Sequence, residues 1–314
     1  MARKVILDVD PGIDDAMAMC LALTDPEMDV VAVTAVAGNV PAAQATRNVQ
    51  AIIEQLDPPR WPRLGAASDP DTGLSVDRKS LYGSDGLGDT SFVVAERQHL
   101  LPSEKVICDQ VRDAPHEVTI VALGPLTNIA RAIVRDPELT ALIGRIVVMG
   151  GTVAGPGNIT PAAEFNMYCD APSAQVVFRS LSTKTLVPLD VTNRVELSYN
   201  LFHQLPDESS RVGRLLRALL PPAFRGYRQQ FGLEGIHVHD TVTLMSLRHP
   251  ELFTTKAMAG DVETQGELTL GATVFDRRRV PAWRCNMEVV VDMHKDAVVE
   301  AIIRDLNRGP FSAE

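Results

Sequence analysis

Short apolar runs alternate along this chain with longer segments in which apolar residues recur at helical spacing. Each run has the length of a strand and ends in polar or glycine-rich residues. The alternation predicts an α/β fold, with an open, mostly parallel central sheet flanked by helices. The predicted strands are Val5–Val9, Val30–Ala37, Val118–Leu123, Ile146–Met149, Thr185–Leu189 and the more weakly marked Met287–Val291. The predicted helices are Asp15–Leu23, Ala42–Leu56, Thr127–Val134, Ala171–Arg179 and Asp296–Leu306.

Two stretches interrupt this alternation. Residues 69–89 are rich in Gly, Asp and Ser and contain the sequence YGSDGLGD, which predicts a long functional loop. Residues 208–220 place four aliphatic residues on one helical face, which predicts a helix packed on the body of the protein. We expect Pro221 and Pro222 to end that helix.

Polar turns follow the first three predicted strands. They are DPGIDD from Asp10, the pair Gly38-Asn39, and GPLTN from Gly124 to Asn128. In an open parallel sheet such turns emerge at the carboxyl edge, where ligands bind near the reversal of strand order. We therefore expect one crevice to collect all three turns.

The first turn is crowded with acidic residues: Asp8, Asp10, Asp14 and Asp15 fall within eight residues. Asp8 and Asp10 share one face of a strand, and Asp14 and Asp15 begin the following helix, near the positive end of its dipole. A hard divalent cation would offset the remaining repulsion, because Ca²⁺ and Mg²⁺ accept several carboxylate oxygens. The alternative is that Asp14 and Asp15 only cap the helix while the other two lie exposed.

The length and composition of the chain limit the number of domains and the kinds of ligand it can bind. Its 314 residues are 45% hydrophobic and show no linker, which favours one domain spanning residues 1–314. A formal charge of −10 and a pI near 5.2 argue against nucleic acid and anionic membranes as partners. A small neutral or cationic ligand fits this charge better.

The amino terminus and the cysteines indicate the compartment. The first strand begins at Lys4 and contains Asp8, so we expect no secretory or membrane-spanning segment and a cytoplasmic protein. The four cysteines are widely scattered and lack the close pairs of a structural zinc site. We expect them to be reduced packing residues.

The sequence DVDPGIDDAMAM, from Asp8 to Met19, resembles the amino-terminal signature of the inosine-uridine preferring nucleoside hydrolases. Further segments resemble elements of that family in the family's own order: GN, GPLTNIA, MGG, GNITPAAEFN from Gly157 to Asn166, and His239-Asp240. The resemblance spans essentially the whole chain. It implies the nucleoside hydrolase fold with a Rossmann-like core, and an enzyme that hydrolyses the N-glycosidic bond of ribonucleosides to free base and ribose.

The same resemblance implies a metal site and a general base. The family pattern implies Ca²⁺ held by Asp10, Asp15, Asp240 and the main-chain carbonyl of Leu123. Such an ion would anchor the sugar and lower the pKa of a bound water, whose proton Asp10 would accept. The resemblance also implies a homodimer or a homotetramer.

Other residues are implied to bind the two parts of the substrate. The residues expected at the ribose are Asp14, Asn39, Asn158, Glu164 and Asn166. Those expected at the base are Tyr82, Tyr227 and His239, with His239 as the candidate acid for the leaving base. Tyr82 stands where many relatives carry histidine, and tyrosine is a poorer acid at neutral pH. The preferred base, purine or pyrimidine, is therefore left open.

Two alternative functions remain at this point. The cluster DVDPGIDD is faintly similar to the aspartyl-nucleophile motif of haloacid-dehalogenase-type phosphohydrolases, although Pro11 fits that motif badly. A non-catalytic nucleoside- or ribose-binding protein would keep the metal site but lose the base, and Asp10 and His239 are both present here.

Overall fold

A computed structural model describes residues 2–74, 78–96 and 99–308 of the chain. Within these residues a nine-stranded sheet forms the centre of the molecule. Its strands are β1 (Arg3–Val9), β2 (Met28–Ala35), β3 (Arg63–Ala66), β4 (Leu101–Pro102), β5 (Thr119–Ala122), β6 (Arg145–Met149), β7 (Lys184–Val187), β10 (Phe253–Met258) and β13 (Met287–Met293). Two small antiparallel pairs lie outside it, β8 (Glu196–Ser198) with β9 (Gly235–His237), and β11 (Gly260–Val262) with β12 (Thr273–Phe275).

The strand order explains where the site forms. The order is β10-β13-β7-β6-β5-β1-β2-β3-β4, and all neighbours are parallel except β10 with β13. The chain proceeds from β1 outwards to β4 and then returns to place β5 on the other side of β1. The order therefore reverses between β1 and β5, which leaves a crevice at their carboxyl ends.

Helices cover both faces of the sheet. They are α1 (Ile13–Thr24), α2 (Ala42–Leu56), α3 (Lys79–Tyr82), α4 (Ser103–Asp113), α5 (Thr127–Arg135), α6 (Leu139–Leu142), α7 (Phe165–Cys169), α8 (Ala171–Arg179), α9 (Leu189–Thr192), α10 (Arg211–Phe231), α11 (His239–Arg248) and α12 (Lys295–Leu306). One apolar core contains α1, α2, α10, α11 and α12. The other contains α4, α5 and α8. Along β1, Val5 and Leu7 enter the first core and Ile6 the second, as the two-residue period of a strand requires.

The predicted fold class is confirmed by this architecture. Each strand and helix of the predicted α/β alternation is present, with boundaries within two residues of those expected, and α2 has the predicted bounds. The helix predicted over residues 208–220 is also present, as α10, but begins at Arg211. The elements that the apolar pattern did not predict include β3 and α4. The segment 69–89, predicted as a loop, also contains the single-turn helix α3.

The predicted end of α10 was wrong. The helix does not stop at Pro221 and Pro222 but runs through them to Phe231, and Gly232 follows in the left-handed conformation. A proline inside a helix costs about 3 kcal/mol. Here the buried face that begins with Val212 continues beyond the prolines through Phe224 to Tyr227, so apolar burial on both sides offsets that cost.

The cysteines follow the prediction in part. Cys20, Cys108 and Cys169 are buried and free, as expected of packing residues, whereas Cys285 is free but exposed. Among the helices of the described residues, none combines the length and the apolar character needed to cross a membrane.

Candidate functional site

Asp10 lies directly after β1, at the point where the strand order reverses. Its Oδ2 atom accepts a hydrogen bond of 2.8 Å from the backbone N–H of Asn39, and the Asn39 side chain donates to the Asp10 carbonyl at 3.1 Å. Gly38 and Gly124 both abut the Asp10 carboxylate, so a Cβ atom at either position would collide with it. Two strand-end turns thus hold this side chain in one place, with only 2% of its surface exposed.

The first turn of α1 and the first turn of α11 bring three further carboxylates together. Asp14 accepts hydrogen bonds from the backbone N–H groups of Asp240, at 2.8 Å, and Thr241, at 3.2 Å. The Thr241 hydroxyl donates to the same carboxylate at 2.9 Å. Asp15 accepts from the backbone N–H of Gly12 at 3.0 Å. Residues 226 positions apart in the chain therefore share one acidic cluster.

Burial raises the pKa values of these carboxyl groups. Burial and then the charge of Asp15 raise the pKa of Asp10 well above its ordinary range. Burial is also the main cause that raises the pKa of Asp14 to about 7 and that of Asp15 to about 6. The pKa of Asp240 is raised well above its usual value by burial and by the neighbouring carboxylates, Asp15 first. The cluster thus has a high affinity for protons or for another positive charge.

A second acidic group faces the cavity from the segment after β6. Glu164 caps α7: its carboxylate accepts from the backbone N–H groups of Asn166, Met167 and Gly151 at 3.0–3.1 Å. Burial raises the pKa of this carboxyl group, and these three hydrogen bonds oppose the rise. The carboxylate is therefore fixed in position.

Two asparagines of the same segment behave differently. The Asn166 side chain donates to the Leu123 carbonyl at 2.7 Å and to the Met149 carbonyl at 3.3 Å, so it bridges the ends of β5 and β6. Asn158 is exposed, and its Oδ1 atom accepts from the backbone N–H of Phe165 at 2.8 Å.

Aromatic side chains from three segments line the same cavity. Tyr82 ends α3, Tyr227 lies on α10 and His239 begins α11. The two tyrosine hydroxyls share a hydrogen bond, and burial raises the pKa of both. The Tyr227 hydroxyl also lies 3.4 Å from the His237 carbonyl. These contacts tie α3 to α10 at one side of the cavity.

The ring of His239 is held by its neighbours. Its Nδ1 atom lies 2.9 Å from the Thr192 hydroxyl, and its ring stacks on that of His237 with centroids 5.5 Å apart. Burial lowers the pKa of His239 to about 3, with smaller contributions from His237 and Arg78. The imidazole is therefore neutral near pH 7.

Nearly all of the sequence-predicted site residues meet in one cavity. The cavity has a volume of ≈ 50 Å³. The predicted residues that line it are Asp10, Asp14, Asn39, Tyr82, Leu123, Asn158, Glu164, Asn166, Tyr227, His239 and Asp240. Asp15 is not among the lining residues and lies behind them, where its carboxyl group shares a hydrogen bond with that of Asp240.

Three residues that line the cavity were not predicted as site residues: Arg78, Met149 and Phe165. Phe165 lies inside the GNITPAAEFN segment, and Met149 belongs to the MGG segment, so both motifs already pointed near them. Arg78 gave no signal of this kind. It is one of two adjacent basic residues, Arg78 and Lys79, in a glycine-rich stretch, and only folding brings it to Phe165, 87 positions later in the chain.

The donor chemistry of the acidic cluster fits a hard divalent cation. The Oδ1 atom of Asp15 is buried and has no hydrogen-bond partner among the described residues, and its charge acts on the carboxyl groups of Asp10 and Asp240. Within residues 2–74, 78–96 and 99–308, no three His, Cys, Asp or Glu side chains are already spaced to hold a metal ion. The carboxyl groups are instead joined by hydrogen bonds, such as that between Asp15 and Asp240.

Comparison with known proteins places the chain among enzymes. The family model described as inosine-uridine preferring nucleoside hydrolase matches residues 5–300. A non-specific ribonucleoside hydrolase, RihC, of Escherichia coli O6:H1 is 40% identical over 294 residues, which cover 93% of this chain and 94% of that protein.

Solved structures agree with the sequence match. The plant nucleoside hydrolase PpNRh1 superposes with a TM-score of 0.90 at 31% identity, over 98% of this chain and 100% of that one. A purine-preferring ribonucleoside hydrolase from Gardnerella vaginalis gives a TM-score of 0.89 at 30% identity, over 97% and 98% of the two chains. These matches favour a nucleoside hydrolase over the phosphohydrolase alternative.

Proposed function

The chain belongs to the inosine-uridine preferring nucleoside hydrolase family, and we propose that it hydrolyses the N-glycosidic bond of ribonucleosides to free base and ribose. The observation that carries this proposal is the convergence, in one cavity, of acidic groups from widely separated parts of the chain, Asp10 and Asp240. Buried carboxylates and aromatic side chains together suit a polar sugar joined to a flat base.

We propose that Ca²⁺ is the cofactor, held by Asp10, Asp15, Asp240 and the Leu123 carbonyl. Support comes from the unpartnered Oδ1 atom of Asp15 and from the raised pKa values of the cluster, both of which a divalent cation would relieve. When bound, the cation supplies positive charge that binds sugar hydroxyls and lowers the pKa of the attacking water. The hydrogen bond between Asp15 and Asp240 would be exchanged for bonds to the ion.

Asp10 is the proposed general base. Its carboxylate is fixed by the Asn39 N–H and by close contact with Gly38 and Gly124, so its orientation is set before substrate arrives. Burial raises its proton affinity, which suits a group that must accept a proton from water near neutral pH. Asp10 would return that proton to solvent after ribose leaves.

The remaining acidic and amide groups are proposed to bind the sugar. Breaking the bond to the base builds positive charge on the ribose ring in an oxocarbenium-like transition state. Carboxylates that are already held by backbone N–H groups stabilise such charge without reorganising. The proposed ribose-binding residues are Asp14, Asn39, Asn158, Glu164 and Asn166.

The aromatic side is proposed to receive the base. Tyr82 and Tyr227 offer stacking surfaces and hydroxyl groups. His239 is the proposed donor to the leaving base. If the Thr192 hydroxyl donates to Nδ1, the neutral ring carries its proton on Nε2, the other ring nitrogen.

A substrate panel tests the proposed function. Purified protein, stripped of metal by chelation and then supplied with Ca²⁺, would be given inosine, adenosine, guanosine, uridine and cytidine. We expect free base and ribose in equal amounts, loss of activity on chelation and its return with Ca²⁺. Binding of nucleosides without release of base would instead support the non-catalytic alternative. Release of phosphate from sugar phosphates would support a phosphohydrolase.

Deoxyribonucleosides provide a matched control for the sugar contacts. We expect slow turnover of 2′-deoxyinosine relative to inosine, because the 2′-hydroxyl that would bind the cation is lost and nothing replaces it.

The cytoplasmic location and the assembly into two or four copies stay predictions.

A further inference from the structure

Arg78 is the only arginine or lysine among the described residues that line the cavity. It immediately precedes α3, the helix that carries Tyr82 into the cavity wall, and it is half-buried. Its guanidinium carbon lies 4.2 Å from the centroid of the Phe165 ring, within the range of a cation–π contact. A permanent positive charge therefore lies over one aromatic wall of the cavity.

This side chain retains unused hydrogen-bonding capacity. Its Nε atom is buried and has no hydrogen-bond partner among the described residues. Leaving a buried donor unpaired is costly, and such groups mark sites where an external acceptor binds. The planar guanidinium presents donors only, in a fixed fork, so it binds acceptors, and best of all two acceptors that lie side by side.

The surroundings of Arg78 allow contact with the base. The carboxylates proposed to bind ribose are already held by backbone donors, as Glu164 is by three N–H groups. Phe165 follows Glu164 in the chain, and the charge of Arg78 acts to lower the pKa of Glu164 and of Asp10, so Arg78 lies near the proposed sugar side. Arg78 also directly precedes the helix that carries Tyr82, and its charge acts on the Tyr82 hydroxyl as well. A base seated against Tyr82 would therefore find the unpaired Nε donor of Arg78 beside it.

We propose that Arg78 binds the leaving base and selects bases with a carbonyl acceptor, such as hypoxanthine and guanine, over adenine. This proposal rests on the proposed function and names its preferred substrates, the nucleosides whose base carries a carbonyl acceptor. Hypoxanthine and guanine offer an oxygen and a nitrogen acceptor side by side, which an arginine contacts with two hydrogen bonds. Adenine replaces that oxygen with an amino donor, which would face the donors of the guanidinium.

The chemical step assigns a role to this contact. The bond between C1′ and the base nitrogen breaks, and its electron pair passes to the base. The water oxygen bonds to C1′ and the water proton passes to Asp10. The departing base holds negative charge, which spreads onto its carbonyl oxygen and is stabilised by the guanidinium of Arg78. The base then takes a proton from Nε2 of His239, which regains one from solvent, and Asp10 returns its proton to solvent.

Substitution of Arg78, tested with two kinds of leaving group, separates this role from others. Arg78→Gln should lower kcat/KM for inosine by about tenfold to a hundredfold, the effect of losing hydrogen bonds to a charged group. It should change kcat/KM for 4-nitrophenyl riboside by less than about threefold, because 4-nitrophenolate leaves as a stable anion. In Arg78→Gln the ratio of kcat/KM for inosine to kcat/KM for adenosine should also fall. Arg78→Lys, which keeps the charge but not the fork, should lie between wild type and Arg78→Gln.

A neighbouring cation provides the control. Lys79→Gln removes the same charge from the next residue, whose side chain is exposed. It should leave kcat/KM for inosine, adenosine and 4-nitrophenyl riboside within about twofold of wild type. Equal loss on inosine and 4-nitrophenyl riboside in Arg78→Gln would overturn the proposal and place Arg78 at the sugar or the cation. Unchanged rates on both would overturn it as well.

Binding of free bases gives a readout that does not depend on turnover. Calorimetry with hypoxanthine and adenine should show tighter binding of hypoxanthine to wild type, and a loss of about tenfold or more in Arg78→Gln. If wild type released no base from any nucleoside, the proposed function would fail. An Arg78-dependent preference for hypoxanthine would still support this base-binding role, whereas equal affinity of wild type for the two bases would contradict it.

Discussion

Two buried acidic clusters lie at opposite ends of the same two helices, and they differ in how their charge is balanced. At the start of α1 and α11, Asp14 and Asp240 line the cavity and Asp15 lies behind them, and none of the three forms an ion pair with another described residue. At the far ends, Asp25 follows α1 and Arg248 ends α11. There Arg248 forms ion pairs with Asp25 and with Asp305 of α12.

The pKa values express this difference. Burial acts to raise the pKa of Asp305, as it does at the cavity, but the hydrogen bond from His249 and the charge of Arg248 hold that pKa below its usual value. The carboxyl groups at the cavity have no such neighbours, and their pKa values are raised. The distal ion pairs fix the helices in place, so that the near ends hold their carboxylates together in spite of mutual repulsion. The comparison suggests that one cluster serves stability and the other serves chemistry.

Removing the charge of Asp10 should give the largest effect on activity. We expect Asp10→Asn to lower kcat by about 10²- to 10⁴-fold, because the water loses its proton acceptor, with a much smaller change in ribose affinity. Asp113→Asn, an exposed site at the end of α4, is the matched control and should behave as wild type. Steady-state kinetics on inosine and direct binding of ribose would measure both quantities. A kcat within tenfold of wild type would rule out Asp10 as the base.

The largest effect on stability should come from breaking the distal cluster, which consists of Asp25, Arg248 and Asp305. Arg248→Met leaves Asp25 and Asp305 buried without their main counter-charge, and we expect it to lower the free energy of unfolding by about 3–5 kcal/mol. Urea unfolding measures this change. Arg112→Met, which breaks an exposed pair with Asp136, is the control and should cost less than about 1 kcal/mol. Similar losses in the two variants would contradict the stabilising role of the distal cluster.

Only the acidic cluster at the cavity should change the stability of the protein between pH 5 and pH 8. The raised pKa values of Asp14 and Asp15, about 7 and 6, stabilise the cation-free protein at low pH, and this contribution is lost as pH rises through those values. We expect cation-free protein to lose on the order of 1–3 kcal/mol of stability between pH 5 and pH 8. Asp305, whose pKa is lowered, is ionised throughout that range and contributes no change there.

Thermal unfolding with and without Ca²⁺ would measure this pH dependence. Added Ca²⁺ should stabilise the protein more at pH 8 than at pH 5, because it replaces protons at the acidic cluster. A cation-free protein that became more stable over this range would show that the cavity carboxylates are not the groups that titrate.

The smallest effect is expected at the exposed rim of the distal cluster. Arg304 pairs with Asp305 at 3.1 Å, but its side chain is 52% exposed. We expect Arg304→Gln to cost less than about 1 kcal/mol in urea unfolding and to leave kcat unchanged, since solvent screens the pair. A loss as large as that of Arg248→Met would mean that the cluster acts as one network rather than through its buried arginine.

The sequence predicted the sheet and its main helices because their apolar runs are long and periodic. It did not predict β3, whose sequence RLGA is too short and too mixed to form a pattern. The end of α10 was wrongly predicted at Pro221, because local propensity does not include tertiary packing. Beyond the prolines Phe224 and Tyr227 are buried in the core.

The site was predictable where motifs follow strand ends, as at Asp10, Asn39 and Glu164. The contact of Arg78 with Phe165 depends on how a loop folds over the cavity, and no spacing in the chain encodes it. The bond between the Asn166 amide and the Leu123 carbonyl likewise appears only once β5 and β6 are neighbours.

The length of α1 has a practical consequence for engineering. Its 12 residues separate its two acidic ends by ~18 Å, about twice the Debye length at physiological ionic strength. Exchange of the whole Asp25–Arg248–Asp305 trio for apolar side chains of similar volume should therefore raise heat resistance without retuning the chemistry at the other end. The ion pairs at the far end of α1 can therefore be redesigned without changing the carboxylates at its cavity end.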